Sequence, residues 1–156
     1  MLLAGPLAIP VVLGRSGIRA NKTEGDGATP RGRFRLLRLW WRADRHARPF
    51  TLLPVRRLDA ELAWCEDRAD RRYNRPFRRS AIESGDRLWR QDHLYDFIIE
   101  LDHNTRPRIA GRGSAVFVHV ARPERSPTAG CIALSIGELR RLLPRLRRRT
   151  RIVVGT

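Results

Sequence analysis

The chain has 156 residues, a length that suits one domain with a single sizeable core, and its 42% hydrophobic content excludes a disordered polymer. The formal net charge is +16, almost all of it arginine, with Lys22 the only lysine. Two cysteines far apart in sequence, Cys65 and Cys131, exclude a disulfide framework and a zinc knuckle, and no apolar run is long enough to span a bilayer.

An arginine excess of this size invites a reading as a nucleic-acid binder, or as a protein drawn to anionic polymers of a cell wall. The plainer source is codon bias, since Arg, Ala, Gly and Pro rise together in GC-rich genomes, and the basic residues are spread along the chain. Their densest cluster runs from Arg140-Arg141 through Arg145 and Arg147-Arg148-Arg149 to Arg151.

In chain order, residues 2–13 are apolar but lack a basic start and are interrupted by Pro6 and Pro10, so they make a poor signal peptide. That leaves export by another route, a start further upstream, or a cytoplasmic protein. Val11-Val12-Leu13-Gly14 reads as a strand running into a turn. Residues 21–33 form a Gly/Pro-punctuated loop, and Phe34–Trp41 has strand content. Residues 42–92 are polar, Arg-rich and aromatic, and are expected to be long irregular loops. Trp64-Cys65-Glu66-Asp67 and Tyr73-Asn74-Arg75-Pro76 would then form a rim. Leu94–Leu101 reads as a strand rich in β-branched and aromatic residues, ended by a turn at Asp102-His103-Asn104.

Residues 115–120, Ala-Val-Phe-Val-His-Val, form an apolar strand interrupted only by His119. Twelve positions on, Thr128-Ala129-Gly130-Cys131 makes a small-residue turn into the apolar Ile132-Ala133-Leu134. Ser135 and Glu138 then form a capping box, and Ile136, Leu139, Leu142, Leu143 and Leu146 recur at helical spacing until Pro144 kinks or shortens the helix. Arg151–Val154 reads as a last strand. The expected fold is one mainly-β domain over residues 1–156, a β-sandwich or curled sheet, with one main helix after Cys131 and long loops.

A thiol on a Gly-flanked turn and an imidazole on a neighbouring strand are the two parts of a cysteine nucleophile: the base takes the thiol proton and the thiolate attacks a carbonyl. An imidazolium beside it would favour the thiolate and bring reactivity to lower pH than in a free cysteine. Gly130 lets backbone approach a substrate, amides around Ala129, Gly130 and Cys131 can face an oxyanion, and Thr128 adds a hydroxyl at the rim. No acidic residue stands out as a third member, so a backbone carbonyl would orient His119. The bland alternative is a small buried cysteine beside a core histidine. Cys65 is read as packing or pocket rim, His93 as exposed, and His46 and His103 as solvated loop residues. Trp40, Trp41, Trp64 and Trp89 are more often core than ligand platform.

These residues resemble the catalytic domain of the L,D-transpeptidases, the YkuD-like enzymes that cross-link peptidoglycan. That family carries a His, a short segment, then Ser/Thr-x-Gly-Cys followed by an apolar residue and Arg, matched here by His119 and Thr128-Ala129-Gly130-Cys131-Ile132. A second block, Gly25-Asp26-Gly27-Ala28-Thr29-Pro30-Arg31-Gly32-Arg33-Phe34, is similar to the family's Thr-Pro loop before a Gly-x-Phe strand. Tyr95-Asp96 and Gly111-Arg112-Gly113-Ser114-Ala115 resemble segments of a short, single-domain branch. The likeness runs from about residue 11 to the end. Val120, Ala129 and Ala133 depart from the Gly, His and Arg common at those places, and the segment from His119 to Cys131 is short. These departures bear on substrate binding and the acceptor and leave nucleophile and base intact.

The resemblance implies acyl transfer on peptidoglycan stem peptides through a Cys131 thioester, with His119 as base, no metal and no cofactor. It implies a cell-envelope or periplasmic location and covalent capture of carbapenems at Cys131. Arg112, Ser114, Tyr95 and Trp64 are candidate substrate-binding residues, Arg112 because a guanidinium matches a carboxylate bidentately. Water in place of the acceptor amine would make an L,D-carboxypeptidase. A basic nucleic-acid-binding module is the reading from another class. It lacks a zinc, helix-turn-helix or RNP signature and explains neither His119 nor Cys131, so no specific nucleic-acid partner is expected.

Overall fold

The computed structural model describes residues 1–80 and 83–155. The strands are β1 (Leu2–Ala4), β2 (Leu7–Ile9), β3 (Ile18–Arg19), β4 (Thr29–Pro30), β5 (Gly32–Trp41), β6 (Val55–Arg57), β7 (Leu62–Trp64), β8 (Pro76–Arg78), β9 (Asp86–Arg87), β10 (Phe97–Leu101), β11 (Phe117–Val120), β12 (Ile132–Leu134) and β13 (Arg151–Val154). One helix, α1 (Ile136–Leu142), follows β12 and continues as a 3₁₀ turn over Leu143–Arg145. The protein is mainly β, with a single short helix late in the chain. Among the described residues, no helix is long and apolar enough to cross a membrane.

The central sheet is ordered β12-β11-β10-β5-β13, with β6 pairing the C-terminal half of β5 on the edge that β13 takes at its N-terminal half. Alternation along these strands sorts two cores. Phe34, Leu36, Leu39, Trp41, Phe97, Ile99, Val118, Val120, Ile132 and Leu134 face the side covered by Leu139, Leu142, Leu143 and Leu146. Trp40, Ile98 and Phe117 face the other side, under Leu58, Trp64 and Leu88. A strand buried on both faces loses the polar alternation of a half-exposed one, which is why β11 reads as an unbroken apolar run apart from His119.

Several expected boundaries move. Residues 11–14 make isolated bridges, Val12 to Ala133 and Gly14 to Thr128, rather than a strand. The strand expected from Leu94 starts at Phe97. His93 has φ 63°, the Asp96 amide donates to the His93 carbonyl, and the Asp96 carboxylate is held by Arg45, His46 and His93, so residues 93–96 are a charged turn. Ala115 has φ 50°, and β11 begins only at Phe117. The middle of the chain is not all irregular: β7, β8 and β9 form a small antiparallel sheet, in which Trp64 pairs with Pro76 and Asp86. Its signal is weak because each strand is two or three residues long, and β8 and β9 each end in an exposed arginine, Arg78 and Arg87.

The capping box forms as the sequence implies. The Ser135 hydroxyl accepts from the Glu138 amide at 3.3 Å, and the Ser135 amide donates to the Glu138 carboxylate at 3.3 Å. Pro144 sits in the 3₁₀ turn, where it cannot continue α-helical bonding, and so shortens the helix. Because α1 is only seven residues long, its stability rests on this cap and on burial of Leu139 and Leu142. Ser135→Ala is expected to cost about 1 kcal/mol, read as a lower urea midpoint at unchanged m-value.

Candidate active site

β11 and β12 run parallel, pairing His119 with Ala133 and Val118 with Ile132. Side chains alternate along a strand, so His119 and Phe117 share a face with Ala133 and Cys131, while Val118, Val120, Ile132 and Leu134 enter the opposite core. Cys131 thus lies one diagonal step from His119, an ideal Cα spacing of about 8 Å, and among the described residues no hydrogen bond joins its sulfur, which leans toward Ala115 and Phe117, to the His119 ring.

The thiol is held by backbone. Cys131 Sγ donates to the Ala115 carbonyl at 3.2 Å and accepts from the Phe117 amide at 3.4 Å. The left-handed φ of Ala115 turns its carbonyl toward the sulfur, a local conformation that no side chain in the sequence announces. His119 Nδ1 lies 2.8 Å from the Val120 carbonyl. A carbonyl can only accept, so Nδ1 carries the proton and Nε2 is left as the acceptor. Tyr95 packs edge-on against the His119 ring, 5.3 Å between centroids, and its hydroxyl donates to Asp86 at 2.8 Å.

The turn before Cys131 is tied to the loop preceding β4 and β5. Gly130 has φ 142°, and a Cβ there would lie 2.8 Å from the Ala28 carbonyl, so the position admits only glycine. Thr29, fully buried, accepts from the Gly14 amide at 2.8 Å and donates to the Cys131 carbonyl at 3.4 Å. The Thr128 hydroxyl also donates to the Cys131 carbonyl, at 2.7 Å, and accepts from the Gly130 amide at 3.1 Å. Thr128 therefore braces the turn instead of standing free at a rim, and the Gly130 amide is already occupied. Among the described residues, the Ala129 and Cys131 amides have no protein acceptor, and these two are the donors left for an oxyanion.

Electrostatics hold the pair neutral at rest. Burial pushes the Cys131 thiol up to about 12, against the Phe117 amide, which favours the thiolate; Asp86 and Glu66 push the same way as burial, and Lys22 opposes them. Burial pulls His119 down to about 4, against its bond to Val120. The thiolate–imidazolium pair expected from the sequence is not favoured here: burial works against the charged form of both groups, and no carboxylate contacts the imidazole. Partial burial of its carboxyl, and then the charges of Asp86 and Glu24, push Glu66 up to about 7. Burial also raises Asp86.

The remaining sequence candidates scatter. Tyr95 joins the pair through His119. Trp64 is buried, its indole N–H donates to Asn74 at 2.9 Å, and its ring meets Phe117 edge-on, so it is a wall of the core and not a rim. Ser114 is buried, and among the described residues its hydroxyl has no partner. The Arg112 side chain is exposed, and its carbonyl accepts from His103 Nε2 at 3.0 Å. Cys65 is free and buried with Ala63 and Phe77, and burial raises its pKa. His46 and His103 are not solvated loop residues: His46 stacks on Phe97 at 4.8 Å and donates to Asp96, and His103 is bound to the Arg112 carbonyl.

Sequence reasoning missed Lys22. Its side chain is 6% exposed, and it passes beside both Gly113 and Gly130, where an added Cβ would meet its methylenes at 2.9 and 3.6 Å. Its ammonium donates to Asp26 at 2.5 Å and to the Thr23 carbonyl at 2.9 Å. A lone lysine among 31 arginines was the available signal: a thin methylene stem fits between two glycines where a planar guanidinium does not. Among the described residues, no three His, Cys, Asp or Glu side chains gather so as to hold a metal ion.

A family model of the L,D-transpeptidase catalytic domain, YkuD, matches residues 5–154. The chain belongs to that family. No curated protein and no solved structure matches it.

The buried imidazole couples stability to pH. His119 titrates near 6.5 when unfolded and near 4 when folded, so between those values the unfolded chain binds more protons. Its contribution is fully present above pH 6.5 and is lost as pH falls toward 4, by at most about 3 kcal/mol. Urea unfolding of wild type and His119→Asn at pH 4.5 and 7 is expected to show a smaller pH-dependent loss in the variant.

Proposed function

We propose that the protein is an L,D-transpeptidase acting on peptidoglycan stem peptides, with Cys131 as nucleophile and His119 as general base. The observation that carries this is the β11–β12 register, which sets Cys131 and His119 on one face with His119 Nε2 unprotonated. The thiol proton moves from Sγ to Nε2 as sulfur attacks the carbonyl at the L-centre of the diaminopimelate residue. The Cys131 and Ala129 amides receive the developing oxyanion. Collapse breaks the C–N bond, the imidazolium returns its proton to the leaving D-amino acid, and a thioester remains. An amine of a second stem then attacks the thioester, forming a C–N bond and releasing the thiol.

Starting from a neutral pair suits this sequence of steps. A thiol near 12 is a weak nucleophile until substrate arrives, and the transfer to Nε2 creates charge only where the oxyanion donors and Lys22 can stabilise it. Tyr95 and the Val120 carbonyl fix the imidazole without a carboxylate. Family members act outside the cytoplasm, and a cell-envelope location for this chain follows from the same reading.

Intact-mass analysis after incubation with a carbapenem is expected to show one adduct, lost in Cys131→Ala and retained in Cys65→Ala. His119→Ala is expected to slow acylation near neutral pH by roughly 10²–10⁴-fold and to shift the rate toward high pH. Retention of the adduct in Cys131→Ala, or superimposable pH profiles, would overturn the assignment. With muropeptide substrates a cross-linked dimer is the expected product; a shortened monomer would make the enzyme an L,D-carboxypeptidase.

A further inference from the structure

On the same sheet face as Cys131, a cavity of about 580 Å³ is lined by Arg35, Arg38, Arg56, Arg106, Arg108 and Arg148, with a single carboxylate, Glu100. Its near edge is two strands from the thiol: Glu100 on β10 pairs with Phe117 on β11, whose amide donates to Cys131 Sγ. Arg35 is paired with Asp102 at 2.8 Å and Arg38 with Glu100 at 3.0 Å. The side chains of Arg56, Arg106, Arg108 and Arg148 make no hydrogen bond or ion pair among the described residues. Arg108 Nε is fully buried without any acceptor. Burial, and then the charges of Arg75 and Arg106, work against the charged form of Arg108, and the Glu100 carboxylate opposes them without fully offsetting the burial.

Dispersed surface arginines carry no such cost, because each faces water. Here guanidinium groups from β5, from β6, from the 105–108 turn and from the segment before β13 line one space, and among the described residues only the two from β5 have carboxylate partners. A buried N–H without an acceptor and several uncompensated cations are relieved together by a multivalent anion. A carboxylate offers two oxygens in one plane and serves one or two forks. A tetrahedral phosphate offers oxygens in several directions, and a diphosphate carries more charge and acceptor oxygens on two linked centres, which suits guanidinium groups arriving from four segments. We infer that this arginine-lined cavity is a binding site for a diphosphate-bearing ligand, separate from the Cys131 site and independent of its chemistry.

The test is calorimetric titration of the full chain, at fixed ionic strength, with pyrophosphate, inorganic phosphate and citrate. Pyrophosphate is expected to bind saturably at one site, more tightly than phosphate or citrate. Arg108→Gln and Arg148→Gln are each expected to weaken it roughly tenfold. Arg122→Gln, which removes an exposed cation outside the cavity, is expected to leave it unchanged, as is Cys131→Ala. Non-saturable binding, tighter citrate binding, or equal weakening by Arg122→Gln would overturn the inference, the last by showing only the attraction of a +16 surface. Arg56→Gln, exposed at the sheet edge, repeats the measurement should Arg108→Gln lower the melting temperature.

Discussion

Everything at the candidate site depends on the parallel pairing of β11 with β12. The pairing of His119 with Ala133 fixes which side chains face the helix and which face the small sheet. A one-residue slip would send Cys131 and His119 to opposite faces and push Val118 or Ile132 out of the core. The register is held at both edges. Ala133 exchanges hydrogen bonds with Val12 at 2.7 and 2.8 Å, and the Cys131 carbonyl is bound by Thr128 and Thr29. The apolar burial that stabilises the sheet is therefore the same constraint that puts Cys131 and His119 on one face.

Charge is distributed against the average. The chain is strongly cationic, yet the groups that bear on the thiol are mostly carboxylates, Glu66 and Asp86, with one buried lysine opposing them. Many of the arginines meet carboxylates at the surface, as Arg90 does with Asp92, or lie over rings, as Arg42 does over Trp89 at 3.5 Å. Exposed pairs such as Arg90 with Asp92 contribute little to stability, whereas Arg42 is buried against Trp89. Arg90 also lies over the Tyr95 ring and beside Asp86 and works against a charged His119, so a proton must be moved before sulfur becomes reactive. Arginines from four segments also gather at the cavity beside β5 and β6, at the far side of the same face.

Local patterns were legible wherever one element decides its own structure. The S-x-x-E cap, the apolar period of α1, the stop at Pro144 and the strands Phe34–Trp41 and Arg151–Val154 all follow from nearest-neighbour rules. The middle of the chain was not legible, because β7, β8 and β9 are too short to show a period and pair over 12 to 24 residues. The strand expected at Leu94 failed at its start because β propensity cannot register that the Asp96 carboxylate is needed in a turn with Arg45, His46 and His93.

By itself the sequence determined the family, the mainly-β fold, and the two residues, His119 and Cys131, whose types and setting suit nucleophilic chemistry. Those are properties of order along the chain: a Gly-flanked turn, an apolar strand broken once, a capped helix. Only the tertiary structure decided the state of the pair. Desolvation, the turned Ala115 carbonyl, the Tyr95 ring, the passage of Lys22 between two glycines and the gathering of arginines beside Glu100 all depend on segments distant in sequence. A pKa is set by what lies within a few ångströms in space, and residue order does not contain that distance.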